Sequence, residues 1–176
     1  MNIQINVLPV CITVAVLKGA FVMEGFEITD TITPQEYMEL RKIVGWHEFP
    51  LEQAAAGLSH TSFLYCLRKE GRPIALGRAI WDHGYVVYIA DVIVVPEYQG
   101  KGLGRNIMEY LLDKIRGNLK PGYLMMVSLM AAKGKEEFYK KFGFVERPSD
   151  QFGCGMHQWI EGPKENRIAY DPSSGK

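Results

Sequence analysis

Residues 94–112 read VVPEYQGKGLGRNIMEYLL. A β-branched run ends at a proline, three glycines follow in five positions, and then apolar residues recur at helical spacing. This feature constrains the fold more than any other. It demands a strand that runs directly into a helix through a turn with almost no side chains. A turn needs one such residue, or two. Alternating Gly100, Gly102 and Gly104 imply that something approaches the backbone closely there.

The elements on either side follow from periodicity. Leu103, Ile107, Leu111 and Ile115 recur every four residues, with Met108 and Leu112 beside them, which predicts an amphipathic helix over 103–117. Upstream, 62–70, 72–82 and 85–95 read as strands separated by Gly-containing turns, an antiparallel meander. Before them, 26–32 reads as a short strand. Thr33-Pro34 is an N-cap followed by proline at the first helical position, opening a helix over 34–44. Pro50 opens a second helix over 51–58. Downstream, 123–131 reads as a buried strand, 135–142 as a short helix, and 144–147 and 155–161 as closing strands. The order is β-α-α-β-β-β-α-β-α-β-β. The predicted class is α+β (α/β), with a mixed, mostly antiparallel central sheet flanked by helices.

The chain has 176 residues, enough for one domain. Twenty basic residues balance twenty acidic ones, and this argues against a nucleic-acid partner held by phosphate neutralisation. Cys11, Cys66 and Cys154 are scattered, with no CxxC pair and no metal-ligand spacing. They read as free thiols in a reducing, cytoplasmic compartment, and no metal is expected. Residues 1–22 are rich in Val and Ile but broken by Pro9 and Lys18. They read as an N-terminal extension: an extra strand, or a translation start upstream of Met23. A membrane-associated segment is the third reading, and no membrane span is expected. Residues 23–162 form the domain, and 163–176 a polar C-terminal tail.

A helix N-terminus with unpaired amides is suited to an anion, and a pyrophosphate is the expected guest. The Walker pattern fails because Gly102 stands where Ser or Thr is required. The dinucleotide pattern GxGxxG fails too, and YLMMV lacks the acid expected about twenty residues on.

Gln99-Gly100-Lys101-Gly102-Leu103-Gly104 fits [Q/R]-x-x-G-x-[G/A], and EEFYKKFGF follows at 136–144. Together with the element order, these motifs resemble the GNAT superfamily of acyl-CoA-dependent N-acetyltransferases. The resemblance implies transfer of an acetyl group from acetyl-CoA to the primary amine of a small molecule, by direct attack in a ternary complex. It implies that Gln99, Gly100, Lys101, Gly102, Leu103, Gly104 and Arg105 hold the pyrophosphate, and that Ile93, Val94 and Val95 offer backbone groups to the pantetheine arm. Tyr139 matches the family's general acid toward the departing thiolate. Asp91 is a candidate general base, or a carboxylate that orders a neighbouring loop or binds the cationic substrate. A bulge common in this strand of the family prevents assigning its face by alternation. Many members carry Asn seven residues before the tyrosine. Here that position is Ala132, so a cofactor contact passes to another group such as Ser128 or Lys133. The acceptor walls implied are Trp46, His47 and Phe49 on one side, Phe152 and His157 on the other. IADVIVV and QGKGLG also look similar to glucosamine-phosphate N-acetyltransferases. The alternative function is a non-catalytic acyl-CoA-binding module on the same fold, and a homodimer is compatible with either.

Overall fold

The structure is a computed structural model, and it describes residues 25–158. The N-terminal extension and the polar tail lie outside the described residues. Five strands form one sheet in the order β1-β2-β3-β4-β5. These are β1 (Phe26–Thr29), β2 (Phe63–Lys69), β3 (Arg72–Trp81), β4 (Val86–Val94) and β5 (Met126–Leu129). The first four pair antiparallel, and β4 and β5 pair parallel. Four helices accompany them: α1 (Pro34–Ile43), α2 (Leu51–Ser59), α3 (Leu103–Gly117) and α4 (Glu136–Lys140). The mixed, mostly antiparallel sheet expected from the sequence is present.

Local chemistry explains the element ends. Thr33 Oγ1 accepts the Glu36 N–H at 3.2 Å, while the Glu36 carboxylate accepts the Thr33 N–H at 2.9 Å. This reciprocal cap starts α1. The same carboxylate is gripped by both Arg68 Nη atoms, at 2.6 and 2.9 Å, which ties α1 to β2. Those hydrogen bonds, led by Arg68, hold the Glu36 carboxyl down at about 2. Between β2 and β3, Glu70 and Gly71 both take positive φ, the pair of left-handed residues a tight hairpin requires. Before β4, Asp82 Oδ1 accepts the N–H groups of Gly84 and Val86 at 2.8 and 3.1 Å and so closes the turn.

A parallel pair cannot be joined by a hairpin, so α3 carries the chain from β4 to β5. Its apolar stripe matches the expected one: Leu103, Ile107, Met108, Leu111, Leu112 and Ile115 are all buried. The helix packs on β2, β3 and β4. Gly77 in β3 permits the approach, because a Cβ there would lie 2.1 Å from Ile107 Cγ2.

The closing strands differ from expectation. Residues 144–147 are irregular, as are 155–158, and 159–161 lie outside the described residues. Glu146 folds back to the Lys140 ammonium at 2.9 Å. The strand expected over 123–131 contracts to Met126–Leu129, because the Pro121-Gly122 turn, closed by the Tyr123 N–H on the Lys120 carbonyl, occupies its start.

Candidate active site

β4 and β5 share a ladder only from Val86 to Ile89, against Met126 to Leu129. Beyond Ile89, β4 continues with β3 alone, and the two parallel strands part. The cleft opens at this fork. It has a volume of about 840 Å³ and runs from the glycine loop past β4 to Trp46 on the loop after α1.

A bulge sits at the fork. β3 and β4 pair Arg78 with Ala90 and Leu76 with Ile93, so Asp91 and Val92 together oppose Gly77. Asp91 takes φ +52°. The extra residue reverses which backbone groups face outward. Below the bulge, Val86 gives its carbonyl to Asp82 N–H on the β3 side. Above it, the Val95 N–H goes to the Ile74 carbonyl, also on the β3 side. Alternation then turns the N–H and C=O of Val94 to the open edge. The Gln99 side-chain amide donates to that carbonyl at 2.9 Å. Of the three residues expected to offer backbone groups, Val94 therefore faces the cleft, while Val95 has spent its amide inside the sheet.

The glycine loop divides its labour. After a 3-10 turn at Pro96–Tyr98, Gly100 and Gly102 take φ of +73° and +85°, with nothing within 4 Å of where a Cβ would stand. Gly102 caps α3, and the first intrahelical bond runs from Asn106 N–H to its carbonyl. The amides of Leu103, Gly104 and Arg105 precede that bond and point out of the helix end. Gly104 serves packing, since its Cβ would meet the Phe138 ring at 3.2 Å. Lys101 is turned away, its ammonium on the Glu97 carbonyl at 2.8 Å and over the Tyr98 ring. Arg105 lines the cleft, together with Lys135 and Lys141 beyond it.

Tyr139, on α4, lines the cleft opposite β4. Its ring is braced edge-on by Phe138 at 5.0 Å and by Phe144 at 6.3 Å. Burial, and then the nearby Tyr88 phenol, push its hydroxyl above the usual tyrosine range. The phenol thus stays protonated throughout the neutral range. Ala132 lines the cleft at the position of the missing Asn, and of the neighbouring lysines Lys135, rather than Lys133, lines it too. Ser128 is occupied, its hydroxyl reaching the Val87 carbonyl at 3.4 Å.

Asp91 is the centre of a largely buried cluster. Arg41 Nη1 donates to its Oδ1 at 2.7 Å, Tyr37 OH donates to Oδ2 at 2.8 Å, and Arg78 Nε also donates to Oδ2. Arg78 reaches on to the Gly57 carbonyl and to Thr61 Oγ1, both at 3.1 Å. Arg41 gives its Nε to the His47 carbonyl at 3.2 Å, and its guanidinium lies over the rings of Tyr37, Trp46 and Phe49. Burial and the Asp91 charge raise the Tyr37 phenol.

Of the expected acceptor walls, Trp46 lines the cleft. His47 contributes its carbonyl to Arg41, and Phe49 packs on Tyr37 at 6.1 Å. Phe152 and His157 lie exposed away from the cleft, with Phe152 under Arg147. Reading the sequence missed Tyr37, Arg41, Arg78 and Tyr88 as site residues. Arg78 did carry a signal: it is a lone charge within the apolar strand RPIALGRAIW, and such a charge needs a buried partner.

This geometry sets a glycine loop with helix-start amides, an open strand edge and a half-buried phenol along one cleft. The sequence model of the GNAT acetyltransferase domain matches residues 60–146. An uncharacterized N-acetyltransferase of Porphyra purpurea is 31% identical over 68% of this chain and 69% of its own. A probable acetyltransferase of unknown function from meticillin-resistant Staphylococcus aureus superposes with a TM-score of 0.69 at 32% identity, covering 77% of this chain and 99% of that one. The chain belongs to the GNAT superfamily of acetyltransferases. A histone acetyltransferase of Glycine max is 36% identical over 60% of this chain, but this GNAT chain spans only 48% of its length. The glycine loop, β4 and the start of α4 all fall within the matched GNAT domain.

Proposed function

We propose that this GNAT protein moves an acetyl group from acetyl-CoA to the primary amine of a small molecule, in a ternary complex without a covalent enzyme intermediate. The observation that carries the reading is the β4–β5 fork, which lies between the glycine loop and Tyr139.

The residues present fit acetyl-CoA, which supplies an activated thioester. The open space above Gly100 and Gly102 admits a pyrophosphate to the amides at the start of α3, with Arg105 beside them. An extended arm laid along the open edge of β4 meets the backbone of Val94, as an added strand would. Tyr139 gives its proton to the departing thiolate. Cys66 is buried within the core cluster and Cys154 is exposed, and neither lines the cleft.

The charge lining the cleft bears on the acceptor. Arg78, Arg105, Lys135 and Lys141 are cationic, and Asp91 is the one acid among the described lining residues. The Asp91 carboxylate is already shared by two guanidinium groups and a phenol. Among the described lining residues the cleft therefore offers no spare carboxylate to hold an ammonium, and this favours an amine that binds neutral. A lysine-rich tail, with its several ammonium groups, suits this cationic lining less well. Of the roles open to Asp91, ordering its surroundings accords with this geometry.

Acetyl-CoA binding to the wild type and to Gly102→Glu, measured by calorimetry, tests the reading. Micromolar binding that Gly102→Glu abolishes while remaining folded supports it. Equal binding by both, or none by the wild type, overturns it.

A further inference from the structure

β4 has to make a choice at the fork. With regular alternation, Val87, Ile89, Asp91 and Ile93 would turn their backbone groups toward β5 and its open continuation. The bulge inserts one residue, and Val94 takes that place instead of Ile93. A bulge is a soft feature, because it forfeits ladder hydrogen bonds. This one also carries a non-glycine residue at φ +52°, a conformation that L-residues avoid unless their surroundings impose it. Something must hold it.

The holding group is visible. The Asp91 carboxylate is pinned from α1 by Arg41 and Tyr37 and from β3 by Arg78. The side chains of Arg41, Arg78 and Asp91 are only 12%, 13% and 8% exposed. Arg78 is anchored in turn to Gly57 and Thr61 near the end of α2, and Arg41 to the His47 carbonyl. Two elements, α1 and β3, therefore converge on one carboxylate at the bulged residue.

We infer that Asp91 is a positioning residue: its carboxylate, gripped by Arg41, Arg78 and Tyr37, fixes the β4 bulge and so selects Val94 as the residue whose backbone receives the pantetheine arm. Asp91 touches neither pyrophosphate nor thioester in this role. It acts through the backbone register of β4. The inference rests on the acetyl-CoA reading above, because it assigns a part of that site.

The test separates the arm of coenzyme A from its nucleotide. Two probes are titrated by calorimetry into the full chain: CoA, and adenosine 3′-phosphate 5′-diphosphate, which lacks the pantetheine arm. Asp91→Asn keeps a side chain that tolerates positive φ but removes the charge. Its Kd for CoA is expected to rise about 10- to 100-fold, the scale on which small misplacements act, with the nucleotide fragment bound as in the wild type. Arg41→Gln leaves the Asp91–Arg78 pair intact and is expected to give the same split, smaller in size. It serves as the test if Asp91→Asn does not fold. Unchanged CoA affinity in both folded variants, or equal losses for CoA and the fragment, would overturn the inference while leaving the acetyl-CoA reading intact. A wild type that binds neither probe overturns both.

Discussion

Ile107 of α3 occupies the space that any side chain at position 77 would need. A Cβ on Gly77 would stand 2.1 Å from Ile107 Cγ2 and 3.2 Å from Leu111 Cδ1. Both partners are fully buried, so neither can swing into solvent. Gly77 also lies opposite the bulge, so displacing it presses on the strand that carries Val94. Gly77→Ala is therefore expected to cost about 1–3 kcal/mol by overpacking. Chemical denaturation reads the loss directly. A variant as stable as the wild type would show that α3 can retreat from β3 freely.

Tyr139→Phe removes the phenol while keeping the ring that Phe138 and Phe144 brace. CoA affinity and the unfolding midpoint should stay near wild type, while kcat falls about 10²- to 10⁴-fold, the range for losing a general acid. Because burial raises this phenol above its ordinary value, the wild type should keep its acid form past pH 10, and the alkaline limb of kcat should vanish in Tyr139→Phe. A kcat within twofold of wild type would remove Tyr139 from the chemistry.

Glu36 makes acid stability predictable in sign. Its folded pKa, about 2, lies below the unfolded 4.5, so the Thr33 and Arg68 contacts stabilise fully above pH 4.5. That contribution is lost as pH falls from 4.5 toward 2. Glu36→Gln should be less stable at pH 7 by about 1–2 kcal/mol, through the weakened cap and lost ion pair. It should also lack this part of the acid dependence. Urea unfolding at pH 7 and at pH 3 compares the two, and an equal drop in both proteins would contradict the assignment.

Tyr65 offers the opposite case. Its ring is buried against Tyr110 at 5.2 Å, yet its hydroxyl has no hydrogen-bond partner among the described residues. Burial pushes that phenol up to about 12. Tyr65→Phe keeps the ring contact and removes an unpaired polar atom. It should leave stability unchanged or raise it by about 1 kcal/mol. A clear loss in thermal unfolding would reveal a partner for that hydroxyl.

The glycines of the loop separate into two kinds. Gly102→Ala introduces strain, because φ is +85° there, while the space above stays open. Gly104→Ala meets no such strain but presses on the Phe138 ring at 3.2 Å. The first should cost about 1–2 kcal/mol in folding. The second should act on α4 and on the adjoining Tyr139, so kcat should fall more than CoA affinity. Calorimetry beside steady-state kinetics distinguishes them.

The sequence by itself determined what neighbouring residues control. Thr33-Pro34 starts α1, the four-residue repeat from Leu103 to Ile115 makes α3, and the hairpin glycine ends β2. Gln99 to Gly104 places a glycine loop at a helix start, and FYKKFGF places a tyrosine on the next helix. Each depends on contacts within a few residues, where backbone and side-chain preferences act directly. Tertiary structure alone decided the rest. Tyr37, Arg41, Arg78 and Asp91 come from three elements, and they meet because a buried carboxylate requires donors wherever the fold can supply them. Periodicity does not fix the face of Asp91, since one inserted residue in β4 reverses every position after it. The acceptor side followed the same logic: Trp46 reached the cleft while Phe152 and His157 did not. The path of a loop is set by what packs beneath it, and here that is the Arg41 guanidinium among three aromatic rings.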